Sequence, residues 1–155
     1  MKNLFQVFGN IIFVVFKPFI FLLINKSKRS RVAIIYKDEV LMVRSLISDN
    51  KWGFPGGGIK KNEDHIEAAI REVYEETGIK LRNTNIVKEN EVVYKYLIFK
   101  LFLIFYKTKI DQKPAINIIK KIEIIDVRWF KINDLIKNPN LIEDQSVCFI
   151  QNLKA

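Results

Sequence analysis

The sequence predicts a single mixed α/β domain in which one β-sheet packs against helices. Residues 31–37 and 39–45 are β-branched runs joined by a tight acidic turn, which predicts a hairpin. Residues 92–110 are rich in β-branched and aromatic side chains, which predicts one long strand or a bent pair of strands. Residues 64–77 carry apolar side chains at helical spacing and stop at Gly78, so they predict a glycine-capped helix.

The C-terminal third continues the alternation of strand and helix. Residues 122–132 predict a further strand, and Asn133 is expected to cap a short helix that ends before Pro139. Residues 141–154 predict a closing amphipathic helix. The single cysteine, Cys148, excludes a disulfide framework within the chain, and its apolar surroundings predict a buried side chain.

Residues 1–30 predict a separate apolar segment that precedes the domain at 31–155. Residues 4–24 are apolar over about the length of a membrane-spanning helix. The polar residues among them fall on one narrow stripe, which favours a helix lying in the membrane interface. Three readings stay open: an interfacial helix, a membrane anchor, or a segment folded back onto the domain.

The charge of the chain favours anionic partners. The formal net charge is +9 and the isoelectric point is near 9.6, which is compatible with nucleotides, nucleic acid or acidic lipid. No motif indicates recognition of a specific nucleic acid. The basic run that follows the apolar segment predicts contact of residues 1–31 with an anionic membrane surface and a cytoplasmic enzyme at its inner face.

The predicted helix concentrates acidic side chains on one side. Glu72, Glu75 and Glu76 lie about 120° round from the apolar stripe at about 100° per residue. Arg71 is the only lysine or arginine between Asp64 and Gly78. Neighbouring carboxylates repel one another unless a cation lies among them, and hard oxygen ligands suit Mg²⁺ or Mn²⁺. The helix therefore predicts a divalent-metal site.

The stretch from Gly57 to Ile79 resembles the Nudix box, G-x5-E-x7-R-E-U-x-E-E-x-G-U with U a bulky aliphatic residue. It matches all nine fixed positions over 23 residues. Residues 52–56 resemble the usual approach to the box, and residues 127–130 resemble the strand that follows it. This resemblance implies a Nudix-type α/β/α sandwich with a mixed sheet, preceded here by the N-terminal apolar helix.

The resemblance also implies roles for individual residues. Glu72, Glu75 and Glu76 correspond to metal ligands, the carbonyl of Gly56 to a backbone ligand, and Glu63 with Arg71 to a structural brace. Glu123 corresponds to a further acid that some members use as metal ligand or base. The implied catalytic set is Glu72, Glu75, Glu76, Glu123 and Arg71. Two positions depart from the usual pattern, because Asn62 replaces a common glycine and Lys60 replaces a common acid.

The expected reaction is hydrolysis of a diphosphate linkage in a small nucleotide-like substrate, with Mg²⁺ or Mn²⁺ as cofactor. Water attacks phosphorus in line, and Glu72, Glu76 or Glu123 takes its proton. Three cations flank the predicted cleft as candidate phosphate contacts: Arg44, Lys51 and Lys60. Two other functions stay open: a Nudix-fold module that binds a nucleotide without cleaving it, and a hydrolase of a lipid-linked diphosphate at the membrane.

Overall fold

The computed structural model describes residues 27–96 and 99–153, which form one five-stranded sheet with helices on both faces. The spatial order of the strands is β3-β4-β1-β2-β5. Their bounds are β1 Lys28–Tyr36, β2 Glu39–Ser45, β3 Val87–Tyr96, β4 Phe99–Lys109 and β5 Ile124–Lys131. The sheet is mixed, because β1 runs parallel to β4 while the other neighbouring pairs are antiparallel. The predicted mixed α/β sandwich is confirmed.

Within these residues, three α-helices accompany the sheet: α1 His65–Thr77, α2 Ile132–Lys137 and α3 Asp144–Asn152. The side chain of Asp64 caps α1 by accepting a hydrogen bond from the Ile66 backbone N–H at 2.8 Å. Gly78 ends the helix with a left-handed φ of 76°, as its position in the sequence predicted. The N-cap of α2 is Lys131, so the prediction that Asn133 would cap this helix was wrong.

Two apolar clusters bury opposite faces of the sheet. Val32 and Ile34 of β1 pack with Ala69 and Val73 of α1, whereas alternate residues of the same strand face α2 and α3. Side chains alternate between the two faces of a strand, so a strand covered on both faces reads as a continuous apolar run. This explains why residues 32–35 are all apolar and all buried.

The predicted long strand at 92–110 is two strands. β3 begins earlier, at Val87, and pairs antiparallel with β4 from Val87↔Lys107 to Tyr96↔Phe99. Of the two alternatives open from the sequence, the pair is therefore the correct one. β3 forms one edge of the sheet, and β4 joins it to the central strand β1.

The loop between β2 and α1 is held on two sides. On one side, Val32 N–H donates to Pro55 O at 2.9 Å and Ser30 N–H donates to Gly57 O at 3.0 Å. On the other side, Trp52 N–H donates to Leu141 O at 2.8 Å. The Trp52 carbonyl in turn accepts from Glu143 N–H at 2.9 Å. The loop is thus fixed between the central strand and the chain that leads into α3.

Two expectations from the sequence have different outcomes. Cys148 is exposed rather than buried, because α3 turns Ser146, Phe149 and Ile150 inward and leaves position 148 outside that face. The predicted N-terminal apolar helix lies outside the described residues, and its membrane contact stays a prediction. Among residues 27–96 and 99–153, no helix has the length and apolar character needed to cross a bilayer.

Gly56 is a position where only glycine fits. Its φ is +139°, and a Cβ would lie 2.2 Å from the carbonyl oxygen of Ser30. We expect Gly56→Ala to lower the free energy of unfolding by about 2 to 4 kcal/mol. Gly58→Ala is the matched control, because a Cβ there meets nothing within 4 Å. Urea unfolding of both variants measures the difference, and equal stabilities would contradict this account.

Candidate active site

The acidic side of α1 lies at the edge of its buried face. Val73 packs in the core, and the buried carboxylates of Glu72 and Glu76 flank it on the same helix. The Glu76 carboxylate points to the glycine loop, where its Oε2 accepts a hydrogen bond from Gly56 N–H at 2.8 Å. Glycine at position 57 allows a similarly close approach, because a Cβ there would lie 2.5 Å from the carboxyl carbon of Glu72.

Arg71 ties the helix to the loop in front of it. Its guanidinium donates two hydrogen bonds to Glu63, at 2.6 and 2.9 Å, and one to Gly58 O at 3.0 Å. A further contact of 2.6 Å reaches Glu72 Oε1. The bidentate hydrogen bond from Arg71 lowers the pKa of Glu63 to about 2, and hydrogen bonding to Glu63 raises the pKa of Arg71.

Lys120 supplies a second cation to the acidic cluster. Its Nζ lies 2.7 Å from Glu72 Oε2, 2.7 Å from Glu75 Oε2 and 3.6 Å from Glu123 Oε2. Burial alone would lower the pKa of Lys120, but the hydrogen bonds to Glu72 and Glu75 outweigh burial and raise it. Burial is the largest single influence on the pKa of Glu75 and raises it, but the hydrogen bond and charge of Lys120, together with the charges of Arg71 and Lys60, lower the pKa overall.

Sequence reasoning missed Lys120 because 48 positions separate it from Glu72 and no local spacing connects them. Its only signal in the sequence is its place three residues before Glu123, the acid already singled out.

The pKa of Glu76 shifts in the opposite direction to that of Glu75. Burial raises its pKa to about 7, against the attraction of Arg31 and the hydrogen bond from Gly56. Its second oxygen, Oε1, accepts no hydrogen bond within the described part of the chain. A positive charge placed beside Glu76 would therefore stabilise its ionised form.

The acidic cluster fits a divalent ion chemically, but its side chains are not arranged around one. Across residues 27–96 and 99–153, no three acidic, histidine or cysteine side chains form a ready-made ion site. Glu72 and Glu75 share the Lys120 ammonium, and Glu76 turns to Gly56. The predicted backbone ligand, Gly56 O, accepts a hydrogen bond from Arg31 Nη1. Because carboxylate oxygens already share one cation here, the donor set suits Mg²⁺ or Mn²⁺ once these contacts rearrange.

A cleft of about 680 Å³ opens beside the acidic cluster. Cations and apolar side chains share its walls, with Arg29, Arg31, Lys51, Lys100 and Lys120 as the basic residues. Burial, together with repulsion from Arg31, lowers the pKa of Arg29. The Arg29 guanidinium forms no ion pair or hydrogen bond with the described residues. A cleft with acids at one end and arginines along its wall suits a phosphorylated ligand that binds through a metal ion.

The remaining predicted site residues lie in different places. Lys51 lines the cleft and pairs with Asp144, whereas Arg44 pairs with Asp126 at 3.5 Å and covers the Trp52 ring. Arg44 is thus not brought to the cleft wall. The exposed Lys60 contributes its backbone N–H to Glu63, outside the cleft lining. Glu123 lies at the cleft mouth, with its side chain 65% exposed.

Comparison with known proteins places this geometry in a family. Residues 26–153 match the NUDIX domain. Over 103 residues the chain is 36% identical to the mouse diphosphoinositol polyphosphate phosphohydrolase 3-alpha. That alignment covers 65% of this chain and 60% of the relative, so the chain spans about three fifths of that relative's length.

Two solved structures show the same fold. A bifunctional NMN adenylyltransferase/ADP ribose pyrophosphatase from Francisella tularensis, complexed with AMP and an Mn ion, has a TM-score of 0.70 and 25% identity, covering 96% of this chain and 47% of that one. The E. coli dihydroneopterin triphosphate pyrophosphohydrolase has a TM-score of 0.70 and 17% identity, covering 84% and 98%. Family match, fold and box residues agree, and the chain belongs to the NUDIX family.

Proposed function

We propose that this protein hydrolyses a diphosphate linkage with the help of a divalent ion, in a substrate that joins a nucleoside diphosphate to another group. The observation that carries the proposal is the juxtaposition of Glu72, Glu75 and Glu76 with a cleft whose wall is basic. The likeness to part of a bifunctional NMN adenylyltransferase/ADP ribose pyrophosphatase, whose structure is a complex with AMP and an Mn ion, supports the nucleotide part. Apolar cleft residues, among them Leu101 and the exposed Ile122, offer a surface for a base.

Mg²⁺ or Mn²⁺ would be held by Glu72, Glu75 and Glu76, with the Gly56 carbonyl as a further ligand. When bound, such an ion neutralises phosphate charge and lowers the pKa of a bound water. Arg71 and Glu63 fix the position of the ligands, because their hydrogen bonds connect α1 to the loop that carries Gly58. The protein thereby fixes the backbone that carries the acids, so that only their side chains have to rearrange around an ion.

We assign the proton acceptor to Glu76 Oε1. One oxygen of Glu72 is engaged by Arg71, and the other, which contacts Lys120 in the metal-free protein, is assigned to the divalent ion. Glu123 is largely exposed and touches the cluster only through Lys120. Glu76 is buried beside the cleft and keeps Oε1 without a partner among the described residues. A carboxylate oxygen in that setting can take a proton from a water that attacks phosphorus.

A second candidate substrate is a diphosphate on a multiply phosphorylated ring. The mouse relative at 36% identity is a diphosphoinositol polyphosphate phosphohydrolase, and the cationic residues along the cleft would suit several phosphates at once. Two further alternatives stay open. One is a non-catalytic nucleotide-binding module. The other is a cytoplasmic hydrolase of a lipid-linked diphosphate, with residues 1–31 in contact with the anionic inner face of the membrane.

A substrate panel tests the proposal. We expect cleavage of ADP-ribose or a dinucleoside polyphosphate in Mg²⁺ or Mn²⁺ and none in EDTA, with release of phosphorylated products measured by chromatography.

Glu75→Gln should reduce kcat/KM at least about 100-fold, whereas Glu67→Gln, on an exposed part of α1, should leave it unchanged. Preferred cleavage of a diphosphoinositol polyphosphate or a prenyl diphosphate would select the other substrates. No cleavage by folded protein would indicate the binding module.

Arg29 should contribute to substrate binding. Its guanidinium lines the cleft and has no partner among the described residues, so an anionic substrate gains a charged hydrogen bond there. We expect Arg29→Met to raise KM about tenfold with little change in kcat. Lys28→Met removes an exposed charge from the neighbouring position and serves as the control. Steady-state kinetics distinguish them, and equal KM values would place the phosphate contacts elsewhere.

Glu76 should make the metal-free protein less stable as pH rises. Its folded pKa is about 7 against an ordinary value of 4.5, so the folded state binds more protons and stability falls between these two pH values. Glu76→Gln removes this loss. We expect the free energy of unfolding of the metal-free variant to exceed that of the wild type by up to about 3 kcal/mol above pH 7. Below pH 4.5 the two free energies should converge. Urea unfolding in EDTA across this range measures the difference; a difference independent of pH would refute the assignment.

A further inference from the structure

Lys120 is fixed by its backbone to the helix whose acids it contacts. Its N–H donates to Glu75 O at 2.8 Å, and the neighbouring Ile119 N–H donates to the same carbonyl at 3.1 Å. The carbonyl of Lys120 accepts from Glu123 N–H at 3.1 Å and Ile124 N–H at 3.0 Å. The main chain at this position is therefore held, while the lysine side chain retains its own rotatable bonds.

The ammonium of Lys120 occupies the space between two carboxylates that the proposed function assigns to a divalent ion. It contacts Glu72 and Glu75 at 2.7 Å each, and its side chain is 26% exposed. Arg71 already neutralises the other side of Glu72. A divalent ion bound by the same oxygens would lie within a few ångströms of the ammonium and repel it. The two cations therefore compete for one place.

After displacement, the Lys120 ammonium can remain in the cleft. Lys120 lines the same cleft as Arg29 and Arg31, next to the acids. A lysine that leaves Glu72 and Glu75 remains tethered at the cleft wall, where the phosphates of a substrate would lie. Its charge is retained in the site because its backbone does not have to move.

We propose that Lys120 is a tethered counter-ion, which holds the place between Glu72 and Glu75 until a divalent ion displaces it and then contacts the substrate phosphates. This inference rests on the proposed function, since it assumes that these glutamates bind the ion. It assigns Lys120 two roles: it stabilises the acidic cluster when no metal is bound, and it binds substrate after the metal has entered.

Metal binding tests the first role without any substrate. Lys120→Met removes the charge and keeps the length of the side chain, and Lys121→Met is the control because Lys121 is exposed and outside the cleft lining. We expect Lys120→Met to bind Mn²⁺ about tenfold more tightly than the wild type, and Lys121→Met to bind it as the wild type does. Titration calorimetry, or the electron paramagnetic resonance signal of free Mn²⁺, gives these dissociation constants.

The outcomes separate this inference from the proposed function. Absence of Mn²⁺ binding by the wild type would overturn both. Binding by the wild type with equal or weaker binding by Lys120→Met would overturn only the counter-ion role.

Chemical reactivity of the wild type provides a measurement that does not depend on the folding of a variant. Reductive methylation followed by mass spectrometry should find Lys120 protected in EDTA and several-fold more reactive in saturating Mg²⁺, with Lys121 unchanged. Equal reactivity of Lys120 in both conditions would overturn the displacement.

Kinetics at saturating metal test the second role. We expect Lys120→Met to raise KM about tenfold with little change in kcat, because the lost ammonium contacts the substrate phosphates rather than the metal ligands. Lys121→Met should leave KM unchanged. If KM of Lys120→Met equals that of the wild type, the displaced lysine does not bind substrate, and this second role is wrong.

Discussion

The structure depends on holding several carboxylates together within about one turn of a helix. Glu72, Glu75 and Glu76 would repel one another in a partly buried setting, where charges interact more strongly than in water. The protein offsets this repulsion with cations from two directions. Arg71 comes from the same helix, and Lys120 comes from the segment before β5. Glu76 has neither partner, and burial shifts its pKa upward instead.

The same requirement explains the glycines in front of the helix. For Glu76 to reach a backbone N–H and for Glu72 to stay buried, the loop must pass close to both the helix and the central strand. A Cβ at position 56 would clash with the backbone of Ser30, and a Cβ at position 57 would clash with the carboxylate of Glu72. Side chains at these two positions would force the loop away from the acids. The close packing of the acids therefore depends on the glycine backbone of the loop.

Much of this arrangement was predictable because it is local in sequence. The order of apolar, acidic and glycine residues from Gly57 to Ile79 predicts the helix, its cap and the contact between Arg71 and Glu63. The β-branched runs at 31–37 and 39–45 likewise predict the hairpin of β1 and β2. What could not be predicted depends on tertiary position. Lys120 reaches the acids from a distant segment, and Arg44, which the sequence suggested for phosphate, lies against Trp52 and Asp126.

The loop from Trp52 to Gly53 is clamped by the chain that leads into α3, and this divides the cleft between two parts of the sequence. The acids belong to one helix, while Glu143 and Asp144 from the C-terminal part form ion pairs with Arg31 and Lys51 in the same cleft. Substitutions near residues 141–145 can thus change which ligands the cleft binds without altering the acids that we propose as ligands of the metal ion. In proteins with this fold, substrate preference can therefore change through the C-terminal segment while the acidic helix stays the same.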